Sequence, residues 1–118
     1  MVLGGIIVKN EFKVSLSFEE TVSFLKKELV RGSLTGDLVN ERVIESDGKK
    51  VANLIFVKHY WRASNHVSLT VTIDNFEGVV RVYSFGSGGG EGLFKFDWGA
   101  SESFADSVRI ALKKYIIR

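Results

Sequence analysis

Apolar residues recur at two different spacings along this chain, and the spacing predicts which segments are strands and which are helices. Alternate residues are apolar from Phe12 to Leu16 and, most regularly, from Val67 to Ile73, as in strands with one buried face. Within residues 17–31 the apolar residues recur every three or four positions, as in an amphipathic helix. The sequence therefore predicts an early strand followed by a helix, with further strands in its middle.

Local signals predict the ends of several elements. Ser17 and Glu20 have capping-box spacing, which predicts that the first helix begins after Ser17. Gly32 follows the last apolar residue of this helix, where a left-handed residue is needed. Asp47-Gly48 predicts a two-residue hairpin turn, because a type I′ turn needs positive φ at both central positions.

These signals together predict an α+β fold. Strands are predicted over residues 12–16, 38–45, 51–62, 67–74, 79–85 and 93–98, with a second helix over residues 103–117. Two amphipathic helices need an apolar partner, and one face of a sheet provides it. We therefore expect an antiparallel sheet of five or six strands with two helices packed on one face, in the order β-α-β-β-β-β-β-α.

The chain has 118 residues and 45% hydrophobic content, which predicts a single domain spanning residues 1–118. Residues 1–9 are interpreted either as an edge strand or as a tail. If the apolar run at residues 6–8 forms an exposed edge, it favours a homodimer.

The order of elements resembles a shortened helix-grip domain of the START and Bet v 1 type. In those proteins a sheet curls around a C-terminal helix and can leave a cavity, and this chain has no counterpart of their second early helix. The resemblance implies a small apolar ligand between the sheet and the C-terminal helix. The chain is also similar to small uncharacterised single-domain proteins of bacterial genomes, from which no functional residue is carried over.

Composition excludes several kinds of site. The chain has no cysteine, which excludes disulfides, thiolate chemistry and cysteine-based zinc sites. Its two histidines are too few for an all-histidine metal site. No apolar run approaches the ~20 residues needed to span a bilayer, and the first nine residues lack a secretory pattern. We therefore expect a cytoplasmic protein, with no cofactor, metal site or catalytic residue predicted.

A glycine-rich segment over residues 86–92 precedes three alternating aromatic residues, Phe94, Phe96 and Trp98. The segment lacks the Gly-Lys-Ser/Thr sequence of a phosphate-binding loop, so a hairpin loop is the simpler interpretation. The aromatic residues either pack in the core or line the mouth of an apolar cavity. The predicted ligand-binding residues are Tyr60, Tyr83, Phe85, Gly88, Gly89, Gly90, Phe94, Phe96 and Trp98.

Two other functions remain as alternatives. The strand Lys58–Arg62 combines basic and aromatic residues, which suits single-stranded nucleic acid. Strand alternation divides these residues between two faces, and the net charge of +2 weighs against nucleic acid as a partner. A hydrolase-like enzyme would use His59 or His66 with Asp97 or Glu91, although no G-x-S-x-G motif is present. We therefore predict a non-enzymatic binding or interaction protein with a small hydrophobic ligand or a protein partner.

Overall fold

The computed structural model describes residues 7–31, 37–60, 65–88 and 106–117. These residues form six strands and two helices, together with a short 3-10 turn. The elements are β1 (Ile7–Val14), α1 (Phe18–Arg31), β2 (Asp37–Ser46), β3 (Lys49–Tyr60), β4 (Asn65–Asp74), β5 (Val80–Gly88), the helical residues 106–111, which we label α2, the turn Lys113–Tyr115 and β6 (Ile116–Ile117).

All six strands belong to one sheet with the order β2-β3-β4-β5-β1-β6, and every neighbouring pair is antiparallel. Strands β2 to β5 follow one another as hairpin neighbours, and β1 then pairs along its whole length with β5. This arrangement confirms the predicted α+β class, the antiparallel sheet and the order in which the described elements follow one another.

The hydrophobic core lies on one face of this sheet. Alternate residues in the middle of β3, β4 and β5 are buried there, and Leu25 and Leu29 of α1 join the same cluster with no exposed surface. Val108 of α2 and the following Leu112 are equally buried in it. Both helices therefore pack on one face of the sheet, as the sequence predicts.

The start of α1 confirms the capping box. The backbone amide of Ser17 donates to Oε1 of Glu20 over 3.0 Å, and the Glu20 amide donates to the Ser17 hydroxyl over 3.1 Å. The Thr21 hydroxyl also donates to the Ser17 carbonyl, over 2.7 Å. These bonds satisfy donors that have no intrahelical partner in the first turn.

The turn between β2 and β3 is also as predicted. Asp47 has a φ of 52° and Gly48 a φ of 79°, which are the positive values that a type I′ turn requires. Gly32, the predicted end of α1, lies outside the described residues.

The C-terminal helix is shorter than the sequence predicts. Residues 106–111 are helical, but Lys113–Tyr115 form a 3-10 turn, and Ile116 and Ile117 pair with Val14 and Lys13 of β1. The Ser15 amide also donates to the Tyr115 carbonyl over 2.8 Å. The edge of β1 offers hydrogen bonds that the end of a helix lacks, and β-branched isoleucine suits a strand. The predicted strand 93–98 and the predicted helix start at residue 103 lie outside the described residues.

The first strand begins earlier than its alternating pattern suggests. Residues 7–9, predicted as an edge strand or a tail, belong to β1 and pair with β5. Within the described parts of the chain, no helix is both long enough and apolar enough to cross a membrane.

Replacing Ser17 with alanine should lower the free energy of unfolding by about 1 kcal/mol, because the Glu20 amide loses its acceptor. Urea unfolding followed by circular dichroism measures this change. The matched control is Ser15→Ala, since Ser15 is exposed and its backbone amide makes the contact with Tyr115. Equal losses in both variants would show that the capping box does not stabilise α1.

Candidate functional site

The structure places two of the predicted ligand-binding residues on the sheet face that points away from the helices. Tyr83 and Phe85 are half-buried, whereas Val82 and Ser84 between and beside them are buried on the helix side. Successive residues of a strand point to opposite faces. Tyr83 and Phe85 therefore do not line a space between the sheet and the C-terminal helix.

For Tyr60 and Gly88 the structure gives backbone positions. Tyr60 lies opposite Asn65 across β3 and β4, and Gly88 lies opposite Val67 across β5 and β4, so the two residues belong to the same end of the sheet. The remaining predicted ligand-binding residues lie outside the described residues. They are Gly89, Gly90, Phe94, Phe96 and Trp98.

The residues of the two alternative functions are only partly described. His59 and His66 occupy directly opposite positions on β3 and β4, a juxtaposition that the sequence alone does not show. Asp97 and Glu91, the carboxylates of the hydrolase hypothesis, lie outside the described residues. Of the predicted nucleic-acid strand, residues 58–60 lie in β3 and residues 61 and 62 are not described.

The described residues contain no group of three or more side chains suited to hold a metal ion. One compact charged cluster lies on the open face of the sheet. Asp74, which is 8% exposed, accepts hydrogen bonds from Nε and Nη2 of Arg81, each over 3.2 Å, and from the Phe76 amide over 3.1 Å. Nη1 of Arg81 also donates to Glu77 over 3.1 Å. These hydrogen bonds hold the turn between β4 and β5. The hydrogen bonds that Arg81 donates to the Asp74 carboxylate raise the pKa of Arg81.

A groove lies between α1 and β2, the strand at one border of the sheet. Its volume is about 990 Å³. The floor is apolar and consists of Phe18, Val22, Val30, Leu38 and Val43. Val43 is 48% exposed although it points toward the helix side, so the floor is accessible from solution.

The groove follows from how α1 sits on the sheet. The buried stripe of α1 includes Leu25 and Leu29, which reach into the core. The neighbouring stripe of Val22, Lys26 and Val30 is only half-buried, because it faces β2 at the border of the sheet. β2 has a strand neighbour on one side only among the described residues, so nothing in them covers this flank completely.

Two ion pairs connect α1 to the sheet across the groove. Nζ of Lys26 lies 2.9 Å from Oε2 of Glu41 on β2. Lys50 on β3 donates to Glu19 in the first turn of α1, and its Nζ lies 5.7 Å from the centroid of the Phe18 ring. The first pair crosses the middle of the groove and the second closes one end.

Among the described residues that line the groove, cations and anions are equal in number. The cations of this rim are Lys26, Lys27 and Lys50, and its anions are Glu19, Asp37 and Glu45. A balanced rim does not create the single-signed potential that attracts polyanions such as nucleic acid. The groove is therefore suited to apolar groups.

Sequence reasoning did not identify this groove. The helical spacing within residues 17–31 predicts one core-facing apolar stripe that includes Val22, and only the structure shows that Val22 lies on a half-buried flank. A partial signal was present, since the apolar positions 18, 22, 25, 29 and 30 make a stripe wider than one row of core contacts.

Comparison with protein-family models matches residues 8–116 to a family described as "Family of unknown function (DUF6054)". The matched residues include α1 and β2 and thus all the described residues that line the groove. The chain matches no curated protein and no solved structure.

The Lys50–Glu19 pair links stability to pH. Its hydrogen bond lowers the pKa of Glu19 from the ordinary value of 4.5 and raises the pKa of Lys50 from 10.5. The contribution of Glu19 to the free energy of unfolding is therefore present above pH 4.5 and lost as the pH falls through the lowered pKa. The contribution of Lys50 to the free energy of unfolding is present below pH 10.5 and lost as the pH rises through the raised pKa.

Replacing Lys50 with methionine should raise the pKa of the Glu19 carboxyl toward 4.5, because its donor is removed. Titration of the side-chain carbonyl carbon by NMR measures this pKa. The matched control is Lys26→Met, which removes the other ion pair of the groove and should leave the pKa of Glu19 unchanged. An unchanged Glu19 titration in the Lys50→Met variant would contradict the ion pair.

Proposed function

Because this chain belongs to the DUF6054 family, whose function is unknown, we propose its function from the groove: it is a non-enzymatic binding protein that holds an apolar group between α1 and β2. The observation that carries this proposal is the exposed apolar floor beneath a charged rim. Exposed apolar patches with polar borders commonly mark binding sites.

The size of the groove supports a small ligand or the side chains of a partner. Ligand sites usually enclose about 300–1,000 Å³ and combine apolar walls with a few polar groups. The groove volume of about 990 Å³ lies at the upper end of that range. Two pairs of its polar groups are engaged with one another, Lys26 with Glu41 and Lys50 with Glu19. Affinity would therefore come mainly from burial of apolar surface.

We infer this position in preference to the space beside the C-terminal helix that the helix-grip resemblance implies. Val108 and Leu112 of that segment have no exposed surface and share the core with Phe12 and Val82. In contrast, Val43 in the groove is 48% exposed. Accessible apolar surface thus lies beside α1 at Val43, whereas Val108 and Leu112 leave none on the core side of α2.

Replacing Val43 with asparagine should weaken binding of a neutral apolar dye by about tenfold, which corresponds to about 1.4 kcal/mol. The amide adds a polar group to the floor of the groove and removes apolar contact surface. Titration with Nile red, followed by its fluorescence, measures the dissociation constant without a contribution from ligand charge.

The matched control is Ile44→Asn. Ile44 is the next residue of the same strand and is also 48% exposed, but it points to the opposite face. Its replacement should leave dye binding unchanged. Loss of binding in both variants, or no binding by the wild-type protein, would contradict the proposal.

A further inference from the structure

We infer that the partner of this groove is an extended polypeptide segment that joins the free edge of β2 as an additional strand. The inference rests on the proposed function, because it uses the same groove, and it names the class of partner. Peptides are recognised in this way when main-chain hydrogen bonds are combined with pockets for alternate side chains.

The first requirement is an accessible strand edge. β2 is ten residues long and forms one border of the sheet, where it pairs with β3. Nine of its ten residues are exposed. No other strand among the described residues pairs with its outer edge, so that edge presents main-chain donors and acceptors to solution.

The hairpin turn determines which main-chain groups these are. A turn of this type is closed by a hydrogen bond between Ser46 and Lys49, and bonded pairs then alternate along the strands. Ile44 and Arg42 therefore bond to β3. The alternate residues Glu41, Val43 and Glu45 do not bond to β3. Their amides and carbonyls point to the free edge.

The same three residues point toward α1. Val43 and Glu45 line the groove, and Glu41 is bonded to Lys26 of the helix. Residues directly opposite each other in neighbouring strands project to the same face. Each partner residue that bonds to β2 therefore also directs its side chain into the groove.

The spacing of α1 predicts the pattern of the partner. Val22 and Val30 are eight residues apart on one flank, which is about 12 Å along a helix. Strand residues i and i+4 are separated by about 13 Å. Two apolar side chains four residues apart can thus contact Val22 and Val30. If residue i lies opposite Val43 in an antiparallel pairing, residue i+2 lies opposite Glu41, faces the Lys26–Glu41 pair and should be polar.

The charges of β2 disfavour the central registers in which a second copy of this chain could pair with the edge. Two antiparallel copies of β2 centred on Glu41 or Arg42 would place that residue opposite its own equivalent. A pairing centred on Val43 would place Glu41 opposite Glu45. Directly opposite like charges are destabilising, so these three registers are disfavoured, and a segment of another protein without these charges matches the middle of the edge better.

Selection from a phage-displayed library of random ten-residue peptides tests the inference. The full chain serves as bait, and the Val43→Asn and Ile44→Asn variants serve as matched controls. Selected peptides should share apolar residues at i and i+4. By isothermal titration calorimetry, they should bind the wild-type protein and the Ile44→Asn variant equally and the Val43→Asn variant at least tenfold more weakly.

Synthetic versions of a selected peptide then test strand addition directly. N-methylation at positions i−2, i and i+2 removes the amides that bond to Glu45, Val43 and Glu41, and should weaken binding at least tenfold. N-methylation at i−1 and i+1 affects amides that point away, and should change affinity less than threefold. In the complex, amide exchange at Glu41, Val43 and Glu45 should slow.

The outcomes separate this inference from the proposed function. If no peptide is selected, or if both N-methylated sets bind equally, the inference is overturned, while Val43-dependent Nile red binding still supports the groove as a site for small apolar molecules. If Nile red binding also fails to depend on Val43, the proposed function falls with it.

Discussion

One-sided burial of the antiparallel sheet is the constraint on which the rest of this structure depends. Alternate residues of the central strands, such as Leu54, Leu69 and Val82, have no exposed surface, whereas their neighbours face the open side. A slip of one residue in register would move every one of these side chains into water. The helices must therefore lie on one face, and Leu25 and Leu29 hold α1 there.

The two borders of the sheet are covered differently in this arrangement. At one border, Ile116 and Ile117 pair with β1, and Arg109 donates to Asn10 over 3.1 Å while its guanidinium lies 4.8 Å from the Phe12 ring. At the other border, α1 reaches β2 through the Lys26–Glu41 pair and leaves the outer edge of β2 without a strand partner among the described residues. The groove is thus a consequence of where α1 must sit to fill the core.

Much of the fold could be predicted because its signals are local. Ser17 with Glu20, Asp47 with Gly48, and the alternation from Val67 to Ile73 each describe chemistry within a few residues. The pairing of Ile116 and Ile117 with β1 connects the two ends of the matched region, and no local pattern encodes it. The groove could not be predicted from the sequence either. Val22 and Leu25 are both apolar at helical spacing, and only tertiary packing determines which of them is buried.

The charges of β2 explain how an exposed edge can remain selective. Glu41, Arg42 and Glu45 oppose self-pairing, which is a common defence of edge strands. They do not fill the apolar floor, because Glu41 is held by Lys26 and Val43 remains 48% exposed beside it. The edge therefore disfavours a second β2 in the central registers and leaves apolar surface for a chain of different sequence. Discrimination against one partner combined with attraction for another is how interfaces acquire specificity.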